Sequence, residues 1–257
     1  MNKCWKYLLY PPVHVDEEAM HTHFAGKWVV VTGATSGIGE SLVLRLIDAK
    51  AKLYLISRNE QKLKALCNAA KMHETEAQYT AIDLSNREQL DILCQQLPSQ
   101  LPQLSYLFCN AGKSICRTLS DSEHRIHDFD RTTDLNYRSL VALSLALMPS
   151  LRKTQEGRIV YTSSVSSLCP YFPGWSAYHA SKCAANAWCT TANREYKSLK
   201  VKVQIAYMPL VHTPMSDVTP QYKQLPAYSS DEAACILLRL AMSPKFSYRP
   251  WWARVLK

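Results

Sequence analysis

Two residues four positions apart, Tyr178 and Lys182, could transfer a proton to or from a substrate oxygen. This spacing puts both side chains on one face of a helix. The pKa of a free tyrosine is about 10. A phenol that exchanges its proton at neutral pH therefore needs a nearby positive charge to stabilise the phenolate, and Lys182 would supply it. The same spacing recurs at Tyr196 and Lys200. That copy lies just before a predicted strand and away from any glycine-rich loop, so we do not expect it to be catalytic.

A glycine-rich turn at residues 32–39, Thr-Gly-Ala-Thr-Ser-Gly-Ile-Gly, could hold a phosphate group. It follows a predicted strand and opens a predicted helix. Glycines let the backbone amides approach a pyrophosphate, and the start of a helix favours negative charge. The residues predicted to contact a dinucleotide here are Gly33, Ser36, Gly37, Ile38 and Gly39.

Three further turns follow predicted strands. Ser57 and Arg58 stand where an NAD-binding protein usually has an acidic residue, and the Arg58 cation favours the 2′-phosphate of NADP(H) over NAD(H). A solvated arginine at a helix start is the alternative. The other two turns could hold the adenine and a ribose, and their candidate residues are Asp83, Leu84, Asn110, Ala111 and Gly112.

Short β-branched runs alternate with helix-like segments from residue 27 onwards, which predicts βαβ units. The predicted strands are residues 27–32, 52–56, 78–82, 104–109, 157–162 and 201–206. The predicted helices are residues 37–49, 59–72, 86–97, 128–151 and 177–197. The fold class is therefore α/β: a single Rossmann-like domain over residues 25–257, with a doubly wound parallel sheet and helices on both faces. We expect residues 1–24 to be an N-terminal extension and residues 209–228 to be a substrate loop.

The order and spacing of these motifs resemble the short-chain dehydrogenase/reductase family over about residues 25–215. The resemblance implies that Tyr178 protonates a carbonyl oxygen as hydride arrives from the nicotinamide, while Lys182 also binds the nicotinamide ribose. It implies that Ser164 holds the oxygen, that Asn136 keeps a water in a proton relay, and that Thr213 lies beside the carboxamide.

Two positions depart from the family pattern. Ser164 lies 14 residues before Tyr178, where 13 is commoner, so Ser163 is an alternative catalytic serine. The segment after the sixth strand, Pro-Leu-Val-His-Thr-Pro-Met at residues 209–215, lacks the usual glycine. This segment and residues 229–234, Ser-Ser-Asp-Glu-Ala-Ala, resemble the reductase domain of bacterial fatty acyl-CoA reductases. Residues 245–249 are predicted to be a shortened last strand.

Composition excludes several other classes of protein. The 9 cysteines form no CxxC pair, so no disulfide framework is predicted. No carboxylate or cysteine partner is expected at ligand spacing around the histidines considered as metal ligands, so no metal is predicted; these are His14, His21, His23, His124 and His127. The net charge of +9 is dispersed, which argues against nucleic acid. No apolar stretch reaches the roughly 18 residues of a spanning helix, and no signal peptide is expected. A cytoplasmic location and a homo-oligomer, a dimer or tetramer, are expected.

The leading hypothesis is an NADP(H)-dependent oxidoreductase that reduces a carbonyl on a hydrophobic acyl chain: a fatty acyl thioester, long-chain aldehyde or ketone. The apolar loop residues and the pair Trp251-Trp252 favour a lipid-like substrate, although they could equally belong to the core. One alternative is a ketone or secondary-alcohol dehydrogenase that acts on steroid-like molecules. Another is a non-catalytic NADP(H)-binding sensor or scaffold. The aromatic and basic tail at residues 247–257 makes peripheral membrane contact a further alternative.

Overall fold

The inner strands of this chain are almost entirely buried, as expected for a sheet that is covered on both faces. The computed structural model describes residues 7–256. Residues 1–6 of the predicted extension and Lys257 of the predicted tail lie outside the described residues. The described strands are β1 (Trp28–Thr32), β2 (Lys52–Ser57), β3 (Ala77–Ala81), β4 (Tyr106–Cys109), β5 (Gly157–Ser164), β6 (Val201–Met208) and β7 (Ser247–Tyr248).

All seven strands pair in parallel in the order β3-β2-β1-β4-β5-β6-β7. From β1 the chain adds β2 and β3 towards one edge of the sheet. It then crosses to β4, on the other side of β1, and adds the remaining strands towards the opposite edge. In open parallel sheets, ligands bind beyond the carboxyl ends of the strands at such a switch point. The short strand β7 falls within the predicted residues 245–249 and pairs with β6 at Ile205 and Ala206.

Helices cover both faces of the sheet and bury two separate apolar cores. The described helices are α1 (Glu17–Phe24), α2 (Gly37–Asp48), α3 (Glu60–Met72), α4 (Arg87–Gln100), α5 (Ile126–Thr133), α6 (Ser139–Lys153), α7 (Ser176–Glu195) and α8 (Ser230–Met242). One core joins α1, α2, α3 and α8 to the sheet, and the other joins α4, α6 and α7. Alternate residues of β1 illustrate the division, since Val29 and Val31 belong to the first core and Val30 to the second. This is the predicted doubly wound α/β fold.

The described part of the predicted extension packs into the first core. Tyr10, Val13, Met20 and Phe24 are all buried there, and Phe24 is completely inaccessible to solvent. Asp16 caps α1 by accepting a hydrogen bond from the backbone N–H of Glu18. Burial of a large apolar side chain stabilises a fold by about 1.5–3 kcal/mol, so these residues contribute to folding of the whole domain.

The predicted helix at residues 128–151 is interrupted. Between α5 and α6, one turn at Asp134–Arg138 has the wider π-helical hydrogen bonding. The apolar periodicity continues through this turn, which is why the sequence predicts one helix instead of two. Turns of this kind occur often at functional sites, and this one contains Asn136.

The predicted substrate loop closes at its base, where its two ends pair. The amide of Tyr228 donates to the carbonyl of Leu210 at 3.1 Å, and the amide of His212 donates to the carbonyl of Tyr228 at 2.9 Å. Between these ends the loop contains one short 3-10 segment, Pro220–Gln224.

Candidate active site

The glycine-rich turn after β1 lies directly against the turn after β4. The Thr32 hydroxyl oxygen accepts hydrogen bonds from the amides of Asn110 and Ala111, both at 3.0 Å. Thr162, near the end of β5, donates to the side-chain oxygen of Asn110 at 3.2 Å. Three neighbouring strand ends are thus fixed relative to one another.

Glycine is required in this turn because other chain segments approach closely. A Cβ atom on Gly39 would lie 2.1 Å from the carbonyl oxygen of Gly33, a distance that no side chain can adopt. Gly33 has a φ of +67°, and its Cβ would lie 3.0 Å from the Cα of Ala111. A Cβ on Gly37 would lie 2.9 Å from the methyl group of Thr213, which places the start of the substrate loop over the first turn of α2.

The first turn of α2 keeps its backbone amides free of a side-chain cap. Asn59 and Asn86 cap α3 and α4 through their side chains, whereas Ser36 makes no such bond at α2. The first N–H groups of a helix carry partial positive charge and need acceptors. A cradle of glycines at an uncapped helix start fits a pyrophosphate.

The end of β2 lies beside this cradle. The hydroxyls of Ser57 and Thr35 are 2.6 Å apart, while Arg58 is exposed and makes no side-chain hydrogen bond or ion pair among residues 7–256. The sequence did not predict a role for Lys62, whose Nζ donates to the carbonyl of Thr35 at 3.1 Å. Its position in the first turn of α3 gave no sign of this, because spacing alone does not show which face of α3 meets the glycine-rich turn.

Asp83 and Leu84 occupy the end of β3 in different ways. Burial alone would raise the pKa of Asp83, but hydrogen bonds from Ser85 and the charge of Arg58 lower it overall. The side chain of Leu84 is buried in the second core. The carboxylate of Asp83 thus lies within reach of the charge of Arg58, and its contact with an adenine remains a prediction.

Tyr178 and Lys182 lie in the first two turns of α7. The Lys182 Nζ donates to the carbonyl of Thr162 at 2.8 Å and lies 5.8 Å from the centre of the Tyr178 ring. It also lies 4.8 Å from the centre of the Tyr161 ring. Burial lowers the pKa of Lys182 to about 7, because it removes the hydration of the charged amine. Lys182 can therefore exchange a proton near neutral pH.

Ser163 and Ser164 point to opposite sides of the end of β5. Ser163 is buried and donates to the side-chain oxygen of Asn186 at 2.7 Å. Ser164 is half-buried and faces Tyr178: burial raises the pKa of the tyrosine, and the Ser164 hydroxyl lowers it by a smaller amount. The placement favours Ser164 as the serine that works with Tyr178.

Asn136 holds the backbone of Lys113, close to Lys182. Its side-chain oxygen accepts from the amide of Lys113 at 2.8 Å, and its Nδ2 donates to the carbonyl of Lys113 at 2.9 Å and to Ser181 Oγ at 3.0 Å. A Cβ on Gly112 would lie 3.3 Å from the Asn136 oxygen and 3.6 Å from the Lys182 Nζ. Asn136, Lys182 and the turn after β4 thus form one packed unit.

An aromatic wall, which the sequence did not predict, stands beside Tyr178. The rings of Trp175 and Tyr222 stack with centroids 6.0 Å apart, and Phe172 packs against Trp175 at 5.0 Å. Tyr222 belongs to the predicted substrate loop; burial raises the pKa of Tyr178, and ionisation of Tyr222 would raise it further. The contact joins residues that are 47 positions apart in sequence, and no local pattern encodes it.

The second Tyr-x-x-x-Lys copy lies elsewhere. Tyr196 begins a short 3-10 segment after α7 and packs edge-on against Trp188. Lys200 is exposed and precedes β6, at the opposite end of the sheet from the glycine-rich turn. The copy takes no part in the cleft formed by Tyr178 and Lys182.

One family model and several known proteins match most of this chain. A family model described as short chain dehydrogenase matches residues 27–224. A fatty acyl-CoA reductase of Acinetobacter baylyi is 35% identical over 222 residues, which cover 86% of this chain and 75% of the relative. A benzil reductase of Saccharomyces cerevisiae is 33% identical over 198 residues, which cover 74% of this chain and 73% of the relative. The chain also matches uncharacterized mycobacterial oxidoreductases, of whose length the match covers 63%.

The fold has a close counterpart among solved structures. A metagenomic short-chain oxidoreductase, solved in complex with NADP, superposes with a TM-score of 0.74 at 22% sequence identity. The match covers 88% of this chain and 97% of that one. Among the described residues, no helix combines the length and the apolar character needed to cross a membrane.

Proposed function

The chain belongs to the short-chain dehydrogenase/reductase family of oxidoreductases, and we propose that it uses NADPH to reduce a carbonyl on a hydrophobic acyl chain. A fatty acyl thioester, a long-chain aldehyde or a long-chain ketone would fit. The observation that carries the acyl assignment is the 35% identity to a fatty acyl-CoA reductase over most of this chain. The aromatic wall of Trp175 and Tyr222 beside Tyr178 supports an apolar substrate.

The residues of the cleft fit a nicotinamide dinucleotide. The glycine-rich turn and the uncapped start of α2 would hold the pyrophosphate, and Arg58, free of a carboxylate partner among residues 7–256, would hold a 2′-phosphate. Asn110, Ala111 and Gly112 would lie along a ribose, and Thr213 near the carboxamide. When bound, the cofactor supplies the hydride that reduces the carbonyl carbon.

The protein's own groups would manage the proton. The Tyr178 O–H would donate to the substrate oxygen as negative charge develops there, and Ser164 would donate a second hydrogen bond to the same oxygen. The positive charge of protonated Lys182 would stabilise the Tyr178 phenolate that remains. Asn136 would hold the backbone of Lys113 in place, and with it the start of the proton path that leads to Lys182.

The substrate assignment can be tested by turnover. Purified protein is incubated with NADPH and a panel of fatty acyl-CoA thioesters, long-chain aldehydes, long-chain ketones and short ketones, with NADPH oxidation followed by absorbance. We expect the highest kcat/KM on the long acyl substrates, and no turnover in Tyr178→Phe, which should still bind NADPH. Activity confined to short ketones would contradict the acyl proposal.

The cofactor assignment depends on Arg58. We expect Arg58→Glu to lower kcat/KM for NADPH by about ten-fold or more, since it replaces an attraction to the 2′-phosphate by a repulsion. The rate with NADH should change much less. Lys71→Glu, at the other end of α3, makes the same change of charge and should leave the NADPH to NADH ratio unaltered. Equal effects of the two substitutions would mean that Arg58 does not read the phosphate.

A second candidate is a ketone or secondary-alcohol dehydrogenase, which the likeness to a benzil reductase favours. The same Tyr178, Lys182 and Ser164 would serve this reaction, because only the groups attached to the carbonyl differ. The panel separates the two: an aromatic diketone such as benzil would then be reduced faster than any long-chain substrate.

A further inference from the structure

The hydroxyl oxygen of Ser164 accepts two hydrogen bonds from one residue. The Ser166 hydroxyl donates to it at 2.9 Å, and the Ser166 backbone amide donates to it at 3.2 Å. Ser164 ends β5, and Ser166 lies in the short 3-10 segment that follows, Val165–Leu168. The contact therefore lies within the turn that joins β5 to this 3-10 segment.

The direction of the hydroxyl–hydroxyl bond follows from the surroundings of Ser166. Ser166 is 6% exposed, and its hydroxyl makes no other hydrogen bond among residues 7–256. A buried hydroxyl whose proton has no acceptor costs about 1–3 kcal/mol, so the proton of Ser166 points to Ser164.

A hydroxyl oxygen has two lone pairs and one proton. Because Ser166 occupies both lone pairs of Ser164, the remaining Ser164 proton must be donated elsewhere. The neighbour to which this proton can turn in the cleft is the Tyr178 phenol, whose pKa the Ser164 hydroxyl lowers.

We propose that Ser166 is a positioning residue that holds Ser164 as a hydrogen-bond donor directed at the reacting oxygen. The inference rests on the proposed function, in which that oxygen belongs to the substrate carbonyl. Without the Ser166 hydroxyl, Ser164 can rotate and accept a hydrogen bond instead of donating one. Chains of hydroxyls also strengthen one another, so Ser166 increases the acidity of the Ser164 proton.

A neighbouring network offers a matched control. Ser167 donates to the backbone carbonyl of Ser164, accepts from the Asn186 side chain at 2.8 Å and lies 3.3 Å from Ser163 Oγ. It makes no bond to the Ser164 hydroxyl. Ser167→Ala therefore removes a serine from the same segment without changing the acceptors and donors at Ser164 Oγ.

The test compares kcat and KM of Ser166→Ala, Ser166→Thr and Ser167→Ala with the best substrate of the panel. Loss of one hydrogen bond in the transition state predicts a kcat about 2- to 12-fold lower in Ser166→Ala. KM for NADPH should stay unchanged. Ser166→Thr keeps the hydroxyl and should restore most of the rate, while Ser167→Ala should lower the melting temperature but keep its kcat.

A second measurement needs no turnover. Tyr178 is titrated by NMR in protein labelled at the tyrosine ring carbon, with Tyr178→Phe to assign the signal. Ser166→Ala should raise the pKa of Tyr178, because Ser164 is no longer held as a donor to the phenolate. The other titrating groups beside Tyr178, namely Lys182, Tyr161 and Tyr222, are present in every variant compared.

The outcomes are distinct. A lower kcat in Ser166→Ala, recovery in Ser166→Thr and a raised pKa of Tyr178 support the inference. An unchanged kcat with an unchanged Tyr178 pKa overturns it, as does an equal loss of kcat in Ser167→Ala. If the wild-type protein reduces no carbonyl in the panel, the proposed function fails, and the titration alone then decides the role of Ser166.

Discussion

Lys182 carries an amine into a region where burial opposes its charge. In an unfolded chain the pKa of a lysine is about 10.4, whereas burial lowers the pKa of Lys182 to about 7. Between these two values the unfolded chain binds more protons than the folded protein. The contribution of Lys182 therefore makes the free energy of unfolding rise with pH across that window and fall again as pH drops towards 7.

We predict that Lys182→Met removes this dependence. In the wild-type protein, Lys182 should add at most about 1.4 kcal/mol per pH unit to the free energy of unfolding between about pH 7 and pH 9. Urea unfolding at several pH values measures both slopes, and Lys113, whose pKa burial also lowers, is common to the two proteins. Parallel slopes in wild type and Lys182→Met would contradict the depressed pKa.

At this scale, residue spacing predicted part of the site. The four-residue interval between Tyr178 and Lys182 fixes their common helix face, and the structure places them together in α7. Spacing could not choose between Ser163 and Ser164, since a one-residue difference can be absorbed by the loop that follows β5. Strand alternation decides their placement, because it turns Ser163 towards Asn186 and Ser164 towards the cleft.

Among the elements, the sheet was more predictable than its connections. Parallel strands buried on both faces, such as β1 and β4, are marked by apolar runs. All six predicted strands are present, including the partly exposed β3. The π-helical turn at Asp134–Arg138 was not predicted, because it replaces one hydrogen-bonding pattern by another without altering composition. Side-chain bonds such as that from Tyr161 to the carbonyl of Asn136 stabilise it, and these depend on tertiary contacts.

The predicted substrate loop is joined to the start of α7 by the stack of Tyr222 on Trp175. An aromatic pair contributes about 0.5–1.5 kcal/mol beyond its buried area, so its loss should open the loop. We predict that Tyr222→Ala lowers kcat/KM for long acyl chains by about 2- to 12-fold, while Tyr222→Phe keeps the ring and the rate. Measuring kcat/KM against acyl chain length checks this.

Tyr171 provides the control for this prediction. It precedes Phe172 in the same segment, is 74% exposed and makes no ring contact among residues 7–256. Tyr171→Ala should leave the dependence on chain length as it is in the wild type. If Tyr171→Ala and Tyr222→Ala shift it equally, the effect belongs to the segment as a whole and the stack has no special role.

Across the whole molecule, the segment before β1 and the segment after β7 are fastened together. The indole N–H groups of Trp251 and Trp252 donate to the carbonyls of Leu8 and Leu9, each at 2.9 Å. The sequence alone left the two tryptophans as either core or lipid-contacting residues, because composition does not show which donors find a partner far along the chain. We call these four residues the clasp.

The clasp reaches the base of the substrate loop through Tyr10. The Tyr10 ring packs edge-on against Tyr228 with centroids 5.1 Å apart, and lies 6.4 Å from the Trp252 ring. Tyr228 is the residue whose backbone pairs the two ends of the loop. Residues near the two ends of the described chain thus support the base of the predicted substrate loop. We call this base, where Tyr228 pairs with Leu210 and His212, the hinge.

We predict that Trp252→Phe loosens this hinge. The substitution keeps a ring beside Tyr10 but removes the donor to Leu9, which should cost about 1 kcal/mol and lower the melting temperature by about 2–4 °C. Hydrogen exchange should become faster at the amides of His212 and Tyr228. Trp251→Phe is the control, because it loses the equivalent bond to Leu8 but Trp251 has no ring contact with Tyr10. The melting temperature of Trp251→Phe should fall, while hydrogen exchange at the hinge should stay slow. Equal exchange in the two variants would mean that the clasp stabilises the fold without acting on the loop.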